Sequence, residues 1–143
     1  MSRVRVTSLA LAAALALSLV VSGSALARAI DPARSSIGNS GRLNASATAV
    51  HLDGIVYCAS CRSFTLGATV SQSGSGAVGQ GGVRCLCRGA RVRWLLTARA
   101  REATRFKPGA ARVCVWIIAR ASGGKAIDAE QWCEHVTLRA AEA

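Results

Sequence analysis

The chain has 143 residues, with 18 Lys and Arg against 7 Asp and Glu, a formal charge of +11 and six cysteines. That length allows one domain and excludes a multidomain organisation. The basic excess permits an anionic polymer as partner, such as nucleic acid, teichoic acid or acidic polysaccharide, because guanidinium forks match phosphate and carboxylate. A composition rich in Ala, Arg, Gly and Val also fits a GC-rich genome that places Arg on the surface by default.

Residues 1–27 read as a cleaved export signal. Arg3 and Arg5 supply a basic start, residues 6–27 carry no charge, and Ala25-Leu26-Ala27 forms a small-residue cleavage site before Arg28. A run of this length also suffices to span a bilayer, so a retained anchor is the competing reading. The drift into Ser, Gly and Ala from Ser18 onward favours cleavage. No cysteine follows the run closely enough to be acylated. Export sends the cysteines into an oxidising compartment and leaves 116 residues carrying 16 basic side chains. A domain of that size buries only about 60 percent of its unfolded surface, so covalent staples matter.

Residues 28–47, rich in Ser, Gly, Asn and Arg, read as a flexible leader. The domain proper is expected over residues 48–143. From Thr48 onward the apolar residues fall into short alternating runs, the period of half-buried strands. Residues 50–58 are the first run; Phe64, Leu66, Ala68 and Val70 mark the second. A glycine-dense connection over residues 73–82 leads to Val83, Cys85 and Cys87, which alternate with Arg84, Leu86 and Arg88. Along residues 91–101, Arg91, Arg93, Thr97, Arg99 and Arg101 share one parity, and Val92, Trp94, Leu96, Ala98 and Ala100 the other. This predicts a strand with one wet and one dry face, with Trp94 as core anchor. Phe106-Lys107-Pro108-Gly109 is a turn, and residues 112–120 and 132–139 are further strands. About seven strands without a βαβ rhythm predict an all-β, antiparallel, immunoglobulin-like sandwich stapled by disulfides.

The order of Cys58, Cys85, a central Trp94, Phe106-Lys107-Pro108-Gly109 leading into Ala110-Ala111-Arg112-Val113, and a terminal Val136-Thr137-Leu138-Arg139 resembles small secreted immunoglobulin-like proteins of actinobacteria. The resemblance covers residues 48–139 and implies a sandwich fold and an extracellular address, but no activity. The close pairs Cys58/Cys61 and Cys85/Cys87 depart from its pattern.

Six cysteines allow fifteen connectivities. A hairpin centred on Gly123-Gly124 pairs positions whose numbers sum to 247, as Cys114 and Cys133 do. A two-residue loop would make theirs a hydrogen-bonded site with Cα atoms about 5.5 Å apart, within disulfide range. The other four would form two bridges between the Cys58/Cys61 and Cys85/Cys87 segments, with either pairing open. The alternatives make these four thiolates a metal site, or Cys58-Ala59-Ser60-Cys61 a redox dithiol, although no helix N-terminus is predicted to lower the first thiol's pKa.

Other constellations carry less. Gly74-Ser75-Gly76-Ala77-Val78-Gly79 matches a dinucleotide fingerprint in letters but leads into a strand, not a helix, and reads as a loop. His51 and His135 sit on strands without any catalytic signature and read as solvated. Asn44-Ala45-Ser46 has the form of a glycosylation sequon. Trp116 shares a parity with Cys114 and Ile118, an apolar patch expected to pack between sheets. No catalytic residue, metal ligand or cofactor is assigned. The expected function is a secreted, non-enzymatic binding domain whose positive face is Arg91, Arg93, Arg99 and Arg101, with an extracellular protease inhibitor as the alternative from another class.

Overall fold

The computed structural model describes residues 28–142; the export signal expected over residues 1–27 lies outside the described residues. Eight strands follow one another: β1 (Ile30–Ile37), β2 (Ser40–Leu43), β3 (Ala49–Cys58), β4 (Ser63–Ser71), β5 (Val78–Leu86), β6 (Arg91–Ala100), β7 (Gly109–Arg120) and β8 (Ala126–Arg139). No described helix is long and apolar enough to cross a membrane.

The alternating pattern is realised as expected. On β7, Val113, Val115, Ile117 and Ala119 are buried, while Arg112 and Trp116 face solvent. On β6, Trp94, Leu96 and Ala98 are buried and Arg91, Arg93 and Arg99 exposed. The sandwich is not what these faces build. The strands run in the order β1-β3-β2-β8-β7-β4-β5-β6, and β3 pairs again with β6, from Ala49↔Arg99 to Tyr57↔Arg91. This second pairing closes the sheet into a seven-strand barrel, with β1 laid along the same edge of β3 as β2. A strand with one dry face serves a barrel wall and a sandwich layer equally, so periodicity cannot separate them. A barrel of this strand number is just wide enough for side chains to fill it. Phe64, Leu66, Trp94, Val113, Val115 and Ile117 do so here, each at most 1 % exposed.

Residues 28–47 do not form a flexible leader. They carry β1 and β2, and Ile30, Ile37 and Leu43 are buried in the core. Their alternation is too short and too polar to register as periodicity. β2 pairs in parallel with the end of β8, setting Arg42 beside Arg139. The sequon residue Asn44 is occupied at the β2–β3 turn, where its Oδ1 accepts the backbone N–H groups of Thr48 (2.9 Å) and Ala49 (3.0 Å).

Between β1 and β8 the wall is closed by carboxylates. Asp128 Oδ2 accepts the backbone N–H of Ile30 at 2.9 Å, and Glu134 Oε2 that of Ile37 at 2.8 Å. Charge-assisted bonds of this kind satisfy donors that a neighbouring strand would otherwise take. Glu134→Ala is expected to cost about 1–3 kcal/mol in urea unfolding, because it strands the Ile37 donor at a buried position. Glu134→Gln, whose amide oxygen still accepts, should recover most of that loss; equal losses for both variants would refute the strut.

The hairpin register is the expected one. β7 and β8 pair with position numbers summing to 247, from Gly109↔Leu138 to Ala119↔Asp128, and include Cys114↔Cys133. The turn differs: Ala121 N–H bonds to Lys125 C=O at 2.9 Å, and the register shifts between Ala119 and Arg120. Ile127 is the extra residue on β8. The bulge changes the phase of the ladder, and the Cα atoms of Cys114 and Cys133 are 4.0 Å apart, the spacing of a non-hydrogen-bonded pair and not of the hydrogen-bonded site expected from a two-residue loop.

Candidate functional site

Two features of the barrel carry chemistry: an arginine-bearing wall and a cysteine cluster at one end. The outer parity of β6 presents Arg91, Arg93 and Arg99, and Arg101 follows on the turn beyond it, all exposed. The positive face expected from the sequence therefore stands on the outside of the barrel. Its neighbours on β3 were not legible beforehand. Tyr57 lies opposite Arg91, Ile55 opposite Arg93, and Asp53 opposite the exposed Leu95. Arg93 Nη2 meets Asp53 Oδ2 at 3.4 Å, Arg101 donates to Gln80, and the Arg34 guanidinium stacks 4.1 Å over the Tyr57 ring.

The wall continues past β3. A cleft of about 370 Å³ runs across β6, β3, β2 and the end of β8, lined by Arg93, His51, Arg42 and Arg139 and also by two acids, Asp53 and Glu142. His51 Nδ1 lies 3.0 Å from Thr97 Oγ1, so the imidazole is tied to the wall across the β3–β6 pair. His135, opposite Arg112, is solvated as expected. Arg42 and Arg139 were missed by sequence reasoning, since one fell in the supposed leader and the other at the chain's far end. Only the parallel β2–β8 register makes them neighbours. No local signal could have found them.

The acids are largely engaged elsewhere. Asp128 and Glu134 hold β1, Glu130 lies 4.0 Å from Arg28, and Asp31 accepts the N–H of Ala33 in its own strand. Among the described residues, only Arg28 and Arg93 are in ion pairs. The positive excess is thus a surface field and not a set of internal pairs.

The tryptophans divide by parity. Trp94 is buried at 1 % exposure, as expected of a core anchor, and packs so closely on Gly54 that a Cβ there would overlap the indole. Trp116 does not pack inward: it lies on the outer surface, 43 % exposed, across the bare backbone of Gly67. Trp132 points inward and packs against the core from its margin.

The cysteines form two bridges, Cys61–Cys87 and Cys114–Cys133, and leave Cys58 and Cys85 as free thiols. The Cys114–Cys133 bridge is the one expected. Of the two bridges expected between the Cys58/Cys61 and Cys85/Cys87 segments, one forms and the other does not. Cys58 ends β3 and Cys85 lies on β5, with β6 between them in the sheet order, so two strand spacings of roughly 10 Å exceed a disulfide's Cα span. With Cys61 and Cys87 joined to each other, the four-thiolate metal site read from the sequence is not assembled in this structure. Two disulfides are the mark of an oxidising environment.

The topology explains how Cys61 reaches its partner. β3 and β4 are separated in the sheet by β6 and β5, so the link over residues 59–62 must cross the barrel end as a strap. It is held by Ala59 N–H to Ala29 C=O (2.6 Å) and Arg62 N–H to Arg120 C=O (2.7 Å), and turns at Ser60, whose φ is 56°. The Cys61–Cys87 bridge pins the strap to the end of β5. Burial pushes both the Cys58 and Cys85 thiols above the usual cysteine value, so both stay protonated at neutral pH.

No protein-family model matches this chain, and no curated protein matches it.

Proposed function

We propose that the protein is an exported, non-enzymatic binding domain for an anionic polymer, with the arginine wall over β6, β3, β2 and β8 as its contact surface. The observation that carries this reading is the convergence of Arg42, Arg93 and Arg139, brought from three strands far apart in sequence to one cleft. Arg34, Arg91 and Arg99 extend the positive track along the same side of the barrel. Repeated guanidinium groups on an open groove suit a repeating phosphate or carboxylate better than one small ligand. The uncharged run ending at Ala25-Leu26-Ala27, together with the disulfides, supports export to the cell envelope or medium.

The test is binding to polyphosphate and to a carboxylated polysaccharide over a range of salt. Affinity should fall linearly on a log–log plot, and removing Arg42, Arg93 or Arg139 singly should lower the slope by about one contact each. Arg112 and Arg120 lie on β7, which borders β8 but contributes no residue to the cleft, and their removal should leave the slope unchanged. Salt-independent binding, or equal loss from the β7 variants, would overturn the assignment.

A further inference from the structure

We propose that Cys58, Cys61 and Cys87 form a thiol–disulfide exchange site, in which the Cys58 thiol attacks the Cys61–Cys87 disulfide and converts the protein to a second disulfide isomer. This does not rest on the anion-binding reading, since none of the arginines that line the cleft takes part in it.

The first observation is distance: the three sulfurs lie within 4.8 Å of one another, so the unbridged Cys58 stands within about an ångström of contact with the bond it would attack. The second is how they are carried. Cys58 ends β3, its N–H held by Ala90 C=O at 2.9 Å; Cys61 rides on the strap; Cys87 follows the end of β5. Cys61 can therefore meet Cys58 or Cys87 with only a small movement of the strap, and no strand need shift. The third is exposure. Cys58 is 6 % exposed, whereas Cys61 and Cys87 are half-buried, and all three line an open cleft of about 300 Å³ with Ala59, Ser60 and Gly89.

In the step itself, hydroxide of the mildly alkaline medium takes the Cys58 proton, and the resulting thiolate attacks Cys61 Sγ. The Cys58–Cys61 bond forms as the Cys61–Cys87 bond breaks, and the electron pair leaves on Cys87 Sγ, which takes up a proton. One disulfide and one thiol are present before and after, so no outside oxidant or reductant enters. Attack on Cys87 Sγ gives Cys58–Cys87 and frees Cys61 by the same balance. Either route exchanges a buried thiol for a half-exposed one, which is then open to small thiols and disulfides in the surrounding medium. Cys85 is not within the cluster and has no part in the step.

The test is time-resolved alkylation of the native, oxidised protein with iodoacetamide in mildly alkaline buffer, followed by acid quenching and disulfide mapping without reduction. Label should accumulate on Cys61 or Cys87, matched by a Cys58-containing disulfide, and this label should fall to background in Cys58→Ser while persisting in Cys85→Ser. Removing one member should redirect the bond, so that Cys87→Ser contains Cys58–Cys61 and Cys61→Ser contains Cys58–Cys87. Label confined to Cys58 and Cys85 in the wild-type protein would overturn the proposal without recourse to any variant. So would a stable Cys58–Cys85 bridge, or exchange that survives Cys58→Ser.

Discussion

Trp94→Ala is expected to destabilise the protein by about 3–5 kcal/mol, the largest loss of any single truncation in this barrel. The indole is 1 % exposed, and its neighbour across the β3–β6 pair is Gly54, which has no side chain with which to refill the space. Removing the ring therefore leaves a cavity bounded by backbone on one side, and backbone in a closed barrel cannot collapse freely. The loss is a large share of the roughly 5–15 kcal/mol that holds a typical domain together. Trp94 Nε1 has no hydrogen-bond partner, so Trp94→Phe forfeits volume but no polar contact. It should cost about half as much or less. Urea unfolding followed by circular dichroism checks both. A loss below about 1.5 kcal/mol for Trp94→Ala would mean that the interior repacks and that Trp94 is not the anchor.

Removing the Cys114–Cys133 bridge should cost about 3 kcal/mol, the chain-entropy value for a closed loop of this length. The two cysteines are 19 positions apart at facing sites of the β7–β8 hairpin. Cys133 is exposed and Cys114 half-buried on the outer wall, so the double replacement Cys114→Ala/Cys133→Ala opens no core cavity. The measured loss would then report the cross-link itself. A shift in the urea midpoint smaller than that expected for about 1 kcal/mol would show that the hairpin is fully specified without its staple. The comparison with Cys61–Cys87 is informative because that bridge has a free thiol beside it and Cys114–Cys133 does not. Under thiol-containing buffers the two should differ in how readily they reshuffle.

The barrel interior is filled by large side chains, among them Phe64, Leu66, Trp94 and Ile117. The wall offers guanidinium groups on rigid strands, whose spacing is set by the register of β6, β3, β2 and β8. The end offers sulfur chemistry on a short strap. Each is positioned by topology, and neither depends on a long mobile loop.

The local pattern was legible in the residues. Alternation along Arg91–Ala100 and Gly109–Arg120 assigned strands, separated wet from dry faces and placed Trp94 inside, because a strand's side-chain period is two wherever the strand ends up. The Cys114–Cys133 pair was also legible, since a hairpin is a local object whose register follows from its turn. Tertiary structure alone decided the rest. Closure of the barrel depends on β3 meeting β6 and on β2 meeting β8, contacts between residues 34 to 97 positions apart that leave no trace in periodicity. The same distant pairings turned a supposed leader into wall strands, and Arg42 and Arg139 into neighbours. They also drew the strap across the barrel end, joining Cys61 to Cys87 and leaving Cys58 beside them as a thiol. Spacing along a chain reports which face a side chain takes, but only the arrangement of strands in space reports what that face meets.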